Sequence, residues 1–319
     1  MLGPITLLLA YYRCERCGES QKPWDRTLGL SGRQLTPAAQ QIVSQAGVLA
    51  SFAEGSERTL RDMAGLHVSE STVERITEEV GKRVKQQLDA GQTQGPKQDW
   101  RWQKDAEGRT CAYVSLDHTG IRQQGPGATR ADGKMAAVAM VYNPASDHDP
   151  IKPLPHQARY ISGFLELDEI GRQLRREAEA VGVMRADQQI ALSDGGAGLE
   201  EVFKTYFPRA VCILDFYHAK EHLVELAQSL YPADDPARQK WLDARCHQLK
   251  HAGGRAVLAH LQGMDLSGSS PTVREVHRKQ ASYFRNHCHR INFFAPRWRR
   301  APIFFHQRRM ASVAKRAVS

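Results

Sequence analysis

A chain of 319 residues that is 41% hydrophobic and 25% charged can bury a sizeable core as one or two globular domains. That balance excludes collagen-like, disordered and membrane-spanning readings. The formal charge of +9, from 44 Lys and Arg against 35 Asp and Glu, makes an anionic partner such as nucleic acid the first expectation. The excess is unevenly placed. Residues 285–319 hold nine basic side chains and no acidic one, which leaves 35 of each sign in the other 284 residues. Nucleic-acid binding therefore has to be argued from motifs and not from net charge.

The opening MLGPITLLLAYYR has one apolar run, without the basic start or small-residue cleavage site of a signal peptide and too short to span a bilayer. Ile5 to Tyr12 is expected as a strand. Six cysteines, with 111, 212, 246 and 288 isolated from one another, form no disulfide framework and point to a reducing cytoplasm. Cys14-Glu15-Arg16-Cys17 has zinc-knuckle spacing, yet structural zinc takes four ligands and no second pair lies nearby. A lone pair is half a site.

Thr36-Pro37 places a capping hydroxyl before a proline, and apolar residues at helical spacing predict a helix over about 37–52. Glu57 to Met63 predicts a short helix ended by Gly65. Ser69 then caps a third helix running through Val73, Ile76, Val80 and Val84. Helix, glycine turn, helix is the helix-turn-helix pattern, in which Ser69, Glu70, Ser71, Thr72, Glu74 and Arg75 would face DNA. An ordinary helical hairpin fits the same residues. Residues 91–109 are polar, with Gly and Pro, and read as a linker.

The periodicity then changes. Strands are expected at Cys111–Leu116, Met135–Tyr142, Gln189–Leu192 and Val211–Leu214, with helices at Phe164–Val181 and Leu199–Phe207 between them. From His218 to about Phe284 the pattern is helical, broken at Pro232, at Gly253-Gly254 and near 270. The fold class is α/β.

Two of these strands end in aspartate: YVSLD at Asp117 and IALSD at Asp194. On neighbouring strands the two carboxylates would meet as hard oxygen ligands for Mg²⁺ or Mn²⁺, the arrangement of metal-assisted phosphodiester chemistry. Plain turn aspartates are the alternative. Asp215 and His218 follow a third strand, and could join the same cluster. His218, Glu221 and His222 also match the H-x-x-E-H string of inverted zinc peptidases, for which Glu275 is the one notable further ligand. Partly buried helix histidines remain a third possibility.

Together, LGPITL with YYRCERCG, SERTLRDMAGLHVSESTVERITEEVG, YVSLDHTG, IALSDGGAGLEEVFKTYFPRAVCILDFYHAKEHL and YFRNHCHRINF resemble bacterial insertion-sequence transposases of the DDE type, most closely the Kra-type family. The resemblance covers roughly 2–290. It implies an RNase H-like catalytic domain with a helical insertion after the fifth strand, metal-dependent DNA cleavage followed by strand transfer, and a homo-oligomer when active. Double-stranded DNA, both transposon ends and target, is the implied partner. Asp117 and Asp194 match the first two acids of the triad and its Mg²⁺ or Mn²⁺ ligands; Asp215 and His218 match a supporting D-x-x-H motif. Cys14 and Cys17 match half of the family's zinc site. The implied organisation is a partial knuckle over 1–30, a helix-turn-helix region over 31–90, the linker over 91–109, a catalytic core over 110–218, the insertion over 219–290 and a divergent basic tail over 291–319.

The sequence departs from the family at the third acid, a glutamate expected soon after Arg290-Ile291-Asn292-Phe293. No Asp or Glu follows Glu275. The resemblance therefore implies a truncated, frameshifted transposase with an incomplete triad, or a non-catalytic DNA-binding repressor of transposition.

Overall fold

A computed structural model describes residues 6, 8–30, 35–105, 107–123, 132–144 and 157–292. The chain divides after Gln92 into two compact units.

The first unit begins with a hairpin, β1 (Tyr12–Arg13) against β2 (Ser20–Gln21), followed by α1 (Pro23–Thr27). The long strand expected over Ile5 to Tyr12 is reduced to its last residue. Residues 8–10 have no ladder partner, and the Leu8 side chain lies in solvent; Ile5 is outside the described residues. Helix α2 (Pro37–Leu49) starts where the sequence places it, with the Thr36 hydroxyl accepting from Ala39 N–H at 3.3 Å. A short helix α3 (Phe52–Glu54), a π-helical turn over Gly55–Leu60 and α4 (Arg61–Ala64) then form one continuous helical stretch. Gly65, at φ 61°, ends it in the left-handed conformation that only glycine adopts cheaply. Ser69 caps α5 (Glu70–Asp89) by accepting from Thr72 N–H. Val43, Ala46, Leu60, Val73 and Ile76 form this unit's core.

The second unit holds a mixed sheet. Its strands are β3 (Gln103–Lys104), β4 (Thr110–Gln123), β5 (Asp132–Asn143), β6 (Gln157–Gly163), β7 (Gln188–Ser193) and β8 (Ala210–Leu214). The order is β6-β5-β4-β7-β8, with β3 beside β4; β5 and β6 run antiparallel, and β7 and β8 run parallel to β4. Strand β6, at the edge of the sheet, carries one fully buried side chain, Ile161, and its weak apolar pattern gave no strand signal.

Alternation along the strands gives each face its own core. Ala112, Val114, Leu116, Ala137, Ala139 and Ala191 face α6 (Leu167–Ala180) and α7 (Leu199–Tyr206). Cys111, Tyr113, Val138, Met140, Ile190, Leu192 and Ile213 face α8 (Phe216–Leu230), α9 (Pro236–Gln262) and α10 (Pro271–His287). Residues 219–290 thus share one core with the strands. Helix α9 kinks at Gly253, where the sequence places a break.

Residues 93–104, expected as linker, are part of this unit. Gln94 N–H donates to Glu177, Gln98 N–H to the Ala180 carbonyl and Trp100 N–H to the Val181 carbonyl, while Trp102 is buried. Two tryptophans supply the apolar anchorage that the polar composition around them conceals.

Candidate active site

The parallel ladders set three aspartates side by side. Ser115 pairs with Leu192 and Ser193 with Leu214, so continuing the ladders brings Asp117 beside Asp194 and Asp194 beside Asp215. Asp117 does not end its strand as the sequence suggests: β4 runs on to Gln123 paired with β5, and Asp117 stands inside it, just past the last pair with β7. Each of the three has the parity of the α8–α10 face. Asp117 and Asp194 are half-buried and Asp215 is buried.

The carboxyl groups of Asp117 and Asp194 lie within hydrogen-bonding reach of each other. Burial, then the charge of Asp194, push the Asp117 carboxyl up to about 7, against the opposing His118 N–H donated to its Oδ1 at 2.7 Å. Asp194 Oδ1 accepts from Gly196 N–H at 2.7 Å, which fixes the turn after β7. Asp215 caps α8, accepting from Tyr217 N–H at 2.6 Å and His218 N–H at 3.3 Å. Burial raises its pKa, and those two N–H groups pull the other way. Its carboxylate is engaged as a helix cap, so Asp215 and His218 stand at the edge of the Asp117–Asp194 pair in a different role from it.

The two histidines of the H-x-x-E-H string meet edge to face, with ring centroids 5.0 Å apart. His222 Nδ1 is 2.6 Å from Gln280 Oε1, and its ring stacks on Tyr283 at 3.5 Å. Glu221 is exposed, and Glu275 pairs with Arg278. Among the described residues no three His, Cys, Asp or Glu side chains group as metal ligands, so the zinc-peptidase reading has no third ligand.

The knuckle turn is formed, with Cys14 N–H donating to the Glu19 carbonyl and Gly18 N–H to the Cys14 carbonyl. The Cys17 N–H and side chain and the Arg16 N–H hold the Cys14 thiol below its ordinary value. Both cysteines are exposed and unpaired, and they bring two ligands where structural zinc takes four.

At the start of α5, the Ser69 hydroxyl lies 3.0 Å from that of Ser71 and 2.9 Å from that of Thr72. Arg75 lies 3.6 Å from Glu79, one helical turn on. Ser71, Glu74 and Arg75 are exposed, as a DNA-reading helix requires, but these polar groups already satisfy one another locally.

Sequence reasoning missed the far wall of the carboxylate site, made by Gln280, Tyr283, His287 and Arg290. Arg290 is buried; it donates to Ser193 Oγ and, at 3.2 Å, to the Asp194 carbonyl. The density of polar side chains in YFRNHCHR was the available signal. The chain matches no protein-family model, and no curated protein matches it either.

Proposed function

We propose that this chain is a DDE-type transposase by construction. It would bind double-stranded DNA through α4, the Gly65 turn and α5, and present Asp117 and Asp194 to a phosphodiester. The observation that carries the reading is the meeting of the Asp117 carboxyl, inside β4, with that of Asp194, just past the end of β7. A half-buried acid whose pKa is raised by burial and by a neighbouring carboxylate, as that of Asp117 is, marks a functional site more often than a structural one. The strand order supports the finer reading of an RNase H-like core: three antiparallel strands, then two parallel strands on the other side of the first, with one acid inside the first strand and another just past the end of the fourth. Helices α8–α10 then correspond to the insertion after the fifth strand.

The pair suits a hard divalent cation such as Mg²⁺ or Mn²⁺ as far as two oxygen donors can. When bound there, such an ion would supply charge neutralisation and an activated nucleophile. Asp117 and Asp194 would hold it, Gly196 N–H would orient Asp194, and Arg290 would brace the turn behind it. Asp215 stands beside them as a helix cap, and among the described residues no third side chain groups with the pair as a metal ligand. On that count cleavage is expected to be weak or nil.

That shortage of ligands favours a second reading, a DNA-binding repressor that occupies transposon ends without cutting. A strand-cleavage assay on a transposon-end duplex with Mn²⁺ separates the two. Asp117-dependent cutting supports an active enzyme, and tight, salt-sensitive binding without cutting supports the repressor. No binding to any duplex would sink both. The work is expected in the cytoplasm by a homo-oligomer, and among the described residues no helix is long and apolar enough to cross a membrane.

A further inference from the structure

The wall facing the carboxylates is built from hydrogen-bond donors. Tyr283, His287 and Arg290 follow at intervals of four and three residues, so α10 and the turn after it present them on one face. The Asp194-Gly195 turn lies against that face. A Cβ on Gly195 would stand 2.8 Å from the Tyr283 ring, 3.2 Å from His287 Nε2 and 3.5 Å from Tyr283 Oη, so glycine is what permits the approach.

Tyr283 Oη, His287 Nδ1 and Arg290 Nε are each buried and have no hydrogen-bond partner among the described residues. Buried polar atoms in folded proteins are almost always paired, because burial removes their bonds to water. With Gln280 Nε2, likewise buried and unpartnered, four atoms in one wall of one site therefore point to a ligand that brings several acceptors. Behind them the geometry is fixed: Gln280 holds His222, and His222 stacks on the phenol. The buried Arg290 guanidinium pairs through one terminal nitrogen with Glu200 at 3.7 Å and through the other with Ser193 and the Asp194 carbonyl, which fixes it and leaves its Nε–H as the unpartnered donor. Arg274, Arg278, Lys279 and Arg285 also lie on α10; Arg278 pairs with Glu275 and Lys279 with Glu225, and the four basic groups still outnumber those two acids. An anion beside that helix belongs to a polyanion.

We propose that Tyr283, His287 and Arg290 form a phosphate subsite beside Asp117 and Asp194, gripping one backbone phosphate of a nucleic acid by its non-bridging oxygens. The subsite rests on the proposed DNA-processing role of the carboxylate pair and gives that role its substrate contact. It also explains how a site short of one carboxylate holds a strand: the far wall binds the phosphate directly.

Inorganic phosphate titrated into the full chain, followed by thermal unfolding, tests it, because a ligand of the folded state raises Tm by mass action. The wild-type chain should show a saturable rise. Tyr283→Phe should bind phosphate about tenfold more weakly. Its Tm without phosphate should equal or exceed that of wild type, since only an orphaned hydroxyl is removed. No saturable rise in wild type, or equal affinity in Tyr283→Phe, overturns the proposal. Duplex-DNA binding by the same proteins keeps the two readings apart. Tyr283-dependent phosphate binding in a chain that ignores duplex DNA retains the subsite and sinks the transposase reading. DNA binding with Tyr283-independent phosphate binding sinks the subsite alone.

Discussion

The two faces of the central sheet are held by different physics. Under α6 and α7 the interior is apolar, and its buried charge is matched: Arg159 and Glu177 pair at 2.8 Å, Glu177 accepts from Gln94 N–H and Arg159 donates to the Pro96 carbonyl. Under α8–α10 an equally apolar core gives way, beside the turn after β7, to carboxylates that repel one another and donors that lack acceptors. One face has spent its polar groups on folding. The other keeps them in reserve, and stability sacrificed in that way is the mark of a working surface.

Substitutions on the two faces should therefore differ in sign. Phe203→Ala, on the α6 and α7 side, empties a fully buried site and should cost about 4 kcal/mol in chemical denaturation. Glu177→Gln leaves Arg159 buried beside a neutral partner and should cost roughly 3 kcal/mol, measured in the same way.

Asp117→Asn should do the reverse. The folded-state pKa of about 7 stands above the unfolded value of 3.8, so between those pH values the folded chain binds more protons than the unfolded one. Stability then falls as pH rises through that window. The asparagine variant should be more stable than wild type by roughly 2 kcal/mol at pH 8 and no more stable at pH 3. A destabilised Asp117→Asn at pH 8 would mean that the carboxylate is structural, and the contrast between the faces would be lost. The smallest effect belongs to the other unit: Ser69→Ala removes the α5 cap and should cost about 1 kcal/mol, with no dependence on pH between 5 and 9.

Much of this contrast was legible beforehand. Strands β4, β7 and β8 announced themselves as apolar runs, and Asp117 and Asp194 as a possible pair, but β4 runs on past Asp117 to Gln123 because the polar residues that follow still pair with β5. Caps at Thr36 and Ser69 were equally plain. Strand β6 was not, since an edge strand with one buried side chain has no apolar pattern to find. The tethered segment 93–104 reads as a linker because two tryptophans among Gln, Gly and Pro do not set a period. The donor wall was illegible for a different reason. Tyr283, His287 and Arg290 gain their meaning only when α10 folds back onto the β7 turn, and no local signal encodes a contact across some ninety residues.

The paired registers of β4, β7 and β8 carry one more consequence. Side chains on a strand alternate between faces, so deleting or inserting a single residue within β7 would send Asp194 toward α6 and α7. Change of length in these three strands is thus all or nothing for the site, whereas change of side chain is graded. Any functioning copy of this protein must keep count between Cys111 and Asp117 and between Gln188 and Asp194.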